Sequence, residues 1–150
     1  MVSIFVPFNE VSAKRPPEIR NQEEIEITKD MHGRDLHGFE FIKEDLREID
    51  FSDSDLRGVV FNNSQLQGAN LNSADLEDIV SFASGFEGAD LRNANLTNAL
   101  LMESKFDDVL IDGADFTNAV LSRIQQKKLC SVADGINSVS GISTSYSLGC

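Results

Sequence analysis

No stretch of this 150-residue chain approaches the ~18 consecutive apolar residues that a membrane-spanning helix requires, so no membrane insertion is expected. Histidine is scarce. His32 and His37 are the only two, five residues apart, where neighbouring sides of a regularly turning chain would aim them in different directions. G-x-S-x-G, H-E-x-x-H and phosphate-binding glycine loops are all missing, which removes the usual residues of nucleophilic, metallohydrolytic and nucleotide chemistry. No enzyme activity, metal or cofactor is therefore expected. Basic residues are few: 13 Lys and Arg stand against 25 Asp and Glu, a net charge of -12, which disfavours nucleic acid and anionic lipid. What remains is 41% hydrophobic and 25% charged, the balance of a soluble folded domain.

From Leu36 to Leu121 every fifth residue is large and apolar. The series runs Leu36, Phe41, Leu46, Phe51, Leu56, Phe61, Leu66, Leu71 and Leu76, then continues from Phe86 to Leu121, and only Ser81 interrupts it. From Ser54 to Ala119 the residue two places earlier is Ser, Ala, Val or Ile. Two places after the central residue stand Gly38, Gly58, Gly68, Gly88 and Gly113, with Asn63, Asn93, Asn98, Asn118, Asp53, Asp78 and Asp108, which tolerate turn and left-handed conformations. A helix repeats at 3.6 residues and a strand at 2. A period of five therefore demands a chain that turns regularly and stacks on itself, a solenoid.

Units such as Ala69-Asn70-Leu71-Asn72-Ser73, Ala74-Asp75-Leu76-Glu77-Asp78, Ala89-Asp90-Leu91-Arg92-Asn93 and Ala114-Asp115-Phe116-Thr117-Asn118 resemble the A-(D/N)-L-x-x units of the pentapeptide-repeat family. The resemblance implies an all-β solenoid, a right-handed quadrilateral β-helix of about 4.5 coils with four pentapeptides each, closed by a C-terminal capping α-helix. The expected division is an N-terminal extension over 1–30, the β-helix over 31–121, and capping helix with tail over 122–150.

Four units per coil predicts shared character at a spacing of twenty. The position before the central residue is normally polar, yet Val60, Val80, Leu100 and Val120 are apolar at that spacing, and so are Phe82 and Met102 two places beyond Val80 and Leu100. Ser64, Ser84 and Ser104 form another column, expected inward. Val60, Val80, Phe82, Leu100, Met102 and Val120 should thus make an outward apolar stripe on an acidic solenoid, and soluble monomers seldom leave such a patch bare. Three readings follow: cover by the apolar Met1–Phe8 segment folding back, an interface with an unidentified protein partner or a second copy, or a patch left in solvent. At the irregular unit, either Ser81 points in and Phe82 out, or a bulge helped by Gly85 lets Phe82 fill the interior.

The flanks are not repetitive. Met1–Phe8 lacks a basic leader and is followed at once by Asn9 and Glu10, so a complete secretory signal is not expected. Lys14–Pro17 reads as a linker and Glu24–Thr28 as a short strand. After Leu121, Ser122 and Gln125 form a capping box, predicting a helix from about Arg123 to Ala133, with Ile124, Leu129 and Val132 laid over the open coil end. The two cysteines, Cys130 and Cys150, read either as a disulfide clipping the Ser- and Gly-rich tail to that helix or as two free thiols. The run from Leu129 to Cys150 also resembles the tail of short pentapeptide-repeat proteins of cyanobacteria and the chloroplast thylakoid lumen, which carry a paired-cysteine ending. That resemblance implies the bridge and an oxidising compartment, lumen or periplasm.

The leading expectation is a noncatalytic structural or protein-interaction scaffold acting through the stripe. The alternative is a duplex-DNA mimic acting on a topoisomerase or other nucleic-acid-binding protein, the role of longer acidic members of the family the chain resembles.

Overall fold

The computed structural model describes residues 26–150. The Met1–Phe8 segment, the linker at Lys14–Pro17, the first residues of the Glu24–Thr28 strand and any cover of the stripe by residues 1–17 lie outside the described residues.

The residue two places beyond the central one sits at positive φ in unit after unit. All twelve Gly, Asn and Asp positions expected to tolerate this do adopt it, from Gly38 at 73° to Asn118 at 58°. Lys43, Glu48, Ser73, Ala83 and Glu103 are forced into the same conformation without a residue type that favours it. A turn at every fifth residue leaves only the residues around the central position extended. The central N–H then donates to a carbonyl of the next coil: Leu36 to Asp55 at 2.8 Å, Leu56 to Asp75 at 2.8 Å, Leu76 to Asn95 at 2.7 Å and Leu96 to Asp115 at 2.7 Å.

Parallel pairing joins residues twenty apart along the whole stack, as in Asp30↔Asp50, Asp50↔Asn70, Asn70↔Asp90 and Asp90↔Leu110. The architecture is a β-helix with four pentapeptides in each coil. Regular strand is nonetheless sparse, because the sides are too short: among the described residues only β1 (Glu40–Ile42) and β2 (Val60–Asn62) qualify, paired in parallel with Phe41 opposite Phe61. Every other side meets its neighbour through single-residue bridges.

The ladder fills the interior, and it starts one unit before Leu36: Met31 is fully buried in the same register. Each buried Leu or Phe contributes roughly 1.5–3 kcal/mol through removal of apolar surface from water. Phe41 stacks on Phe61 with centroids 5.4 Å apart, and Phe86 on Phe106 at 5.1 Å. Where Ser81 would have continued the first stack, Phe86 from the adjoining side meets Phe61 edge-on at 6.3 Å.

One corner differs from the others. At most corners the turn closes through an N–H to the carbonyl three residues back, as in Val59 to Leu56 at 3.1 Å. At the corner after Phe41, Phe61 and Ser81 the inward serine column replaces that bond. The Ser64 hydroxyl donates to the Phe41 carbonyl at 2.7 Å and accepts from the Glu44 N–H at 3.1 Å. Ser84 likewise donates to the Phe61 carbonyl and accepts from the Ser64 N–H, and Ser104 donates to the Ser81 carbonyl at 3.0 Å and accepts from the Ser84 N–H. A buried backbone group must be satisfied somewhere, and here a side chain does it.

The C-terminal end is closed by α1 (Arg123–Cys130) and α2 (Thr144–Leu148). The capping box forms as expected: the Gln125 N–H donates to Ser122 Oγ at 3.1 Å and the Ser122 N–H to Gln125 Oε1 at 2.7 Å. Helix α1 ends three residues short of the expected Ala133, because Val132 and Ala133 turn back to carbonyls three residues away. Leu129 is buried, but Ile124 is 72% and Val132 52% exposed, so these two do not cover the coil end as expected. Leu148 joins Leu129 as the apolar part of the cover, and polar groups supply the rest. Gln125 Nε2 donates to the carbonyls of Leu101 and Ser104 at 2.8 and 2.7 Å, the Phe116 N–H donates to Ser147 Oγ at 2.9 Å, and the Gly113 N–H to the Asp134 carbonyl at 2.9 Å. The tail thus occupies backbone groups that a further coil would have used. Cys130 and Cys150 are bonded, their Cα atoms 5.7 Å apart, and the bridge fastens the end of α2 to α1.

Candidate interaction face

The side of the solenoid that carries β1 and β2 presents two outward columns, one on each side of the inward ladder. In the first, Val60 pairs with Val80, Val80 with Leu100, and Leu100 with Val120, so all four sequence-predicted residues lie in one line. Val60 and Val80 are half-buried, Leu100 and Val120 exposed. In the second column Phe82 is 43% and Met102 46% exposed. Ile42, exposed at the foot of that column, belongs to the same face and was not singled out from the sequence, because Asn62 interrupts the spacing of twenty between it and Phe82.

Ser81 lies at the centre of this face, pointing inward, and Phe82 points outward. The coil register runs through without a bulge: the Ser81 N–H donates to the Leu100 carbonyl at 2.7 Å and the Ala83 N–H to the Met102 carbonyl at 3.2 Å. Ser81 Oγ lies 3.1 Å from Ser104 Oγ, which draws it into the serine column. Gly85 plays no part in a bulge; its missing side chain leaves room for Gln67 and Glu87.

The other sides are mainly polar and acidic, with a few carboxylates locally paired. Arg47, Arg57 and Arg92 each fold back onto the Asp two residues before, with Nη2–Oδ2 distances of 2.8, 2.6 and 2.7 Å. The Arg47 bond holds the Asp45 carboxyl far below its ordinary range. Lys128 of α1 meets Asp107 at 2.7 Å. The carboxylate pairs Asp53 with Asp55 and Asp107 with Asp108, dense in the sequence, thus each contain a member that already has a cation. His32 and His37 do not converge: His32 Nδ1 lies 2.9 Å from Ser52 Oγ, and His37 Nδ1 2.6 Å from Asp35 Oδ1. That hydrogen bond raises the His37 pKa and lowers that of Asp35. Among the described residues, Asp35, His37 and Asp55 place one ligand atom each within 4.8 Å of one another, a grouping the sequence did not suggest. Arg57 occupies both oxygens of Asp55, which leaves the trio poorly disposed toward a cation.

Eight copies of the model for pentapeptide repeats match residues 45–79 and 86–123. A pentapeptide repeat protein from the Arabidopsis thaliana thylakoid lumen is 35% identical, the alignment covering 80% of this chain and 90% of that one, with a TM-score of 0.45. The chain belongs to the pentapeptide-repeat family. A pentapeptide repeat protein of Nostoc PCC 7120 is 29% identical over 55% of this chain and 68% of its own, with a TM-score of 0.50. No curated protein matches. The repeat model breaks off between residues 79 and 86, the segment that holds Val80, Ser81 and Phe82. The centre of the apolar face is therefore where this chain departs from the family pattern.

Proposed function

We propose that this pentapeptide-repeat protein is a noncatalytic scaffold that docks a partner protein on the face formed by Ile42, Val60, Val80, Phe82, Leu100, Met102 and Val120. In this reading the stack winds as a right-handed quadrilateral β-helix, and the compartment is an oxidising one, the thylakoid lumen by analogy with the Arabidopsis protein. The observation that carries the reading is the concentration of outward apolar side chains on the one side where the repeat pattern lapses. A solenoid whose remaining sides hold paired Asp and Arg has no folding need for Phe82 or Met102 in solvent, whereas interface centres favour aromatic residues and Met. The partner is an apolar surface with a basic surround, because residues 36–121 carry 17 acidic against 5 basic side chains.

Replacing Leu100 and Met102 together by Asp tests the proposal. Both side chains are exposed, so the fold is expected to persist while binding of an apolar dye falls several-fold and a partner retained from lumenal extract is lost. Unchanged dye binding and retention would remove the face from the account. The duplex-mimic alternative draws on the same acidic excess but has no use for an outward apolar face, which is why the docking reading is preferred. Inhibition of DNA gyrase supercoiling would favour that alternative.

A further inference from the structure

Among the described residues Asp115 is the one charged side chain that is buried, at 3% exposure. Its Oδ1 accepts from the Thr117 N–H at 2.9 Å and from Thr117 Oγ1 at 2.5 Å. Both bonds fall on the same oxygen. Oδ2 receives no protein donor, and among the described residues no Lys, Arg or His lies within ion-pair distance, unlike Asp45, Asp55, Asp90 and Asp107. A buried carboxylate without a cation is costly, and the cost is relieved when a cation arrives.

Asp115 lines a cleft of about 210 Å³ between the Asp75–Asn95–Asp115 column and the tail loop at Asn137–Ser140. The cleft walls are set before any ligand binds. The buried Asn137 donates through Nδ2 to the Gly113 carbonyl at 2.9 Å, and its Oδ1 accepts from the N–H groups of Val139 and Ser140, both at 2.9 Å. Asn95 donates its amide to Asp75 at 3.0 Å, and its Oδ1 accepts from the Thr97 N–H and hydroxyl at 3.1 and 2.6 Å, so both ends of this side chain are already engaged. Asp115 Oδ2 is thus the carboxylate oxygen left free in the cleft, and the lip carries an apolar side chain, Val139, 93% exposed.

We infer that this cleft binds a primary ammonium group, presented by a lysine side chain of a partner protein. A single free carboxylate oxygen suits the compact three-donor ammonium better than a guanidinium, whose fork needs two parallel oxygens. Val139 would flank the methylene stem, as apolar surface commonly does for a lysine whose head stays polar. The site stands on the side of the coil adjoining the apolar face, and it does not depend on the reading of that face.

The test is an NMR titration of the full chain with Nα-acetyl-lysine methylamide, with putrescine as a second arm, and with the Nε-acetylated, uncharged lysine derivative at matched ionic strength. Saturable shifts are expected at the amides of Thr117, Val139 and Ser140 with the charged probes only, weakened at least tenfold in Asp115→Asn. Tighter binding of the lysine derivative identifies a protein side chain as the natural ligand; tighter binding of putrescine replaces it with a free diamine. Linear, unsaturable shifts, equal shifts with the uncharged derivative, or undiminished binding in a folded Asp115→Asn overturn the site. The comparison of charged with uncharged probe on the unmodified chain decides the matter even if the variant does not fold.

Discussion

Ala83 holds φ at 54° beside Phe82, in a conformation that costs an L-residue with a Cβ on the order of 1 kcal/mol. Ala83→Gly should therefore raise stability by about 1 kcal/mol, read as a higher denaturant midpoint with unchanged slope. Ser84→Ala should act in the opposite sense. It removes the hydroxyl that bonds the Phe61 carbonyl and leaves the Ser64 N–H unpaired in the interior, a loss of roughly 1–3 kcal/mol. The Asp35–His37 pair gives a pH signature. His37 is raised above 6.5, so its contribution is complete below 6.5 and fades as pH rises through the raised value. Asp35 is lowered, so its contribution is present above the ordinary carboxylate value of 3.8 and is lost as pH falls through the lowered one. Proton NMR titration should place His37 above 6.5 and return it toward that value in Asp35→Asn.

At the scale of elements, the fivefold ladder and its positive-φ positions were legible in the sequence because each is set by a local demand: one apolar side chain inward, one residue able to turn. Twelve Gly, Asn and Asp positions announced their conformation by type. Lys43, Glu48, Ser73, Ala83 and Glu103 did not, since coil stacking imposes the turn on them. The cap was legible only in part. Ser122 and Gln125 signalled the start of α1 through local hydrogen bonding, whereas its end at Cys130 and the roles of Asn137 and Ser147 depend on contacts with coils far away in the sequence. Apolar periodicity pointed to Ile124 and Val132 as covering residues, and the coil end instead required donors and acceptors. The bridge between Cys130 and Cys150 closes a loop of twenty residues, worth about 3 kcal/mol in the chain-entropy model. Reduction, or Cys150→Ser, should lower stability by about that amount and raise amide exchange first at Phe116 and Gly113, whose N–H groups the tail covers.

For the whole molecule, the central claim is a division of labour among sides: three are mainly polar and acidic, and one offers Ile42, Val60, Val80, Phe82, Leu100, Met102 and Val120. The position of this face followed from counting at intervals of twenty, and its purpose is what no local pattern states. Leu110 supplies an internal control, since it is as exposed as Met102 but projects from the opposite side of the coil. Site-specific photocrosslinking puts the two sides in direct comparison, with p-benzoyl-phenylalanine in place of Phe82 in one preparation and of Leu110 in another, each irradiated in extract of the native compartment. The account predicts a discrete adduct with a second protein from position 82, absent from position 110 and lost when Leu100 is changed to Asp. Equal labelling from both positions, or adducts from position 82 formed only within the chain or with another copy of it, would contradict it.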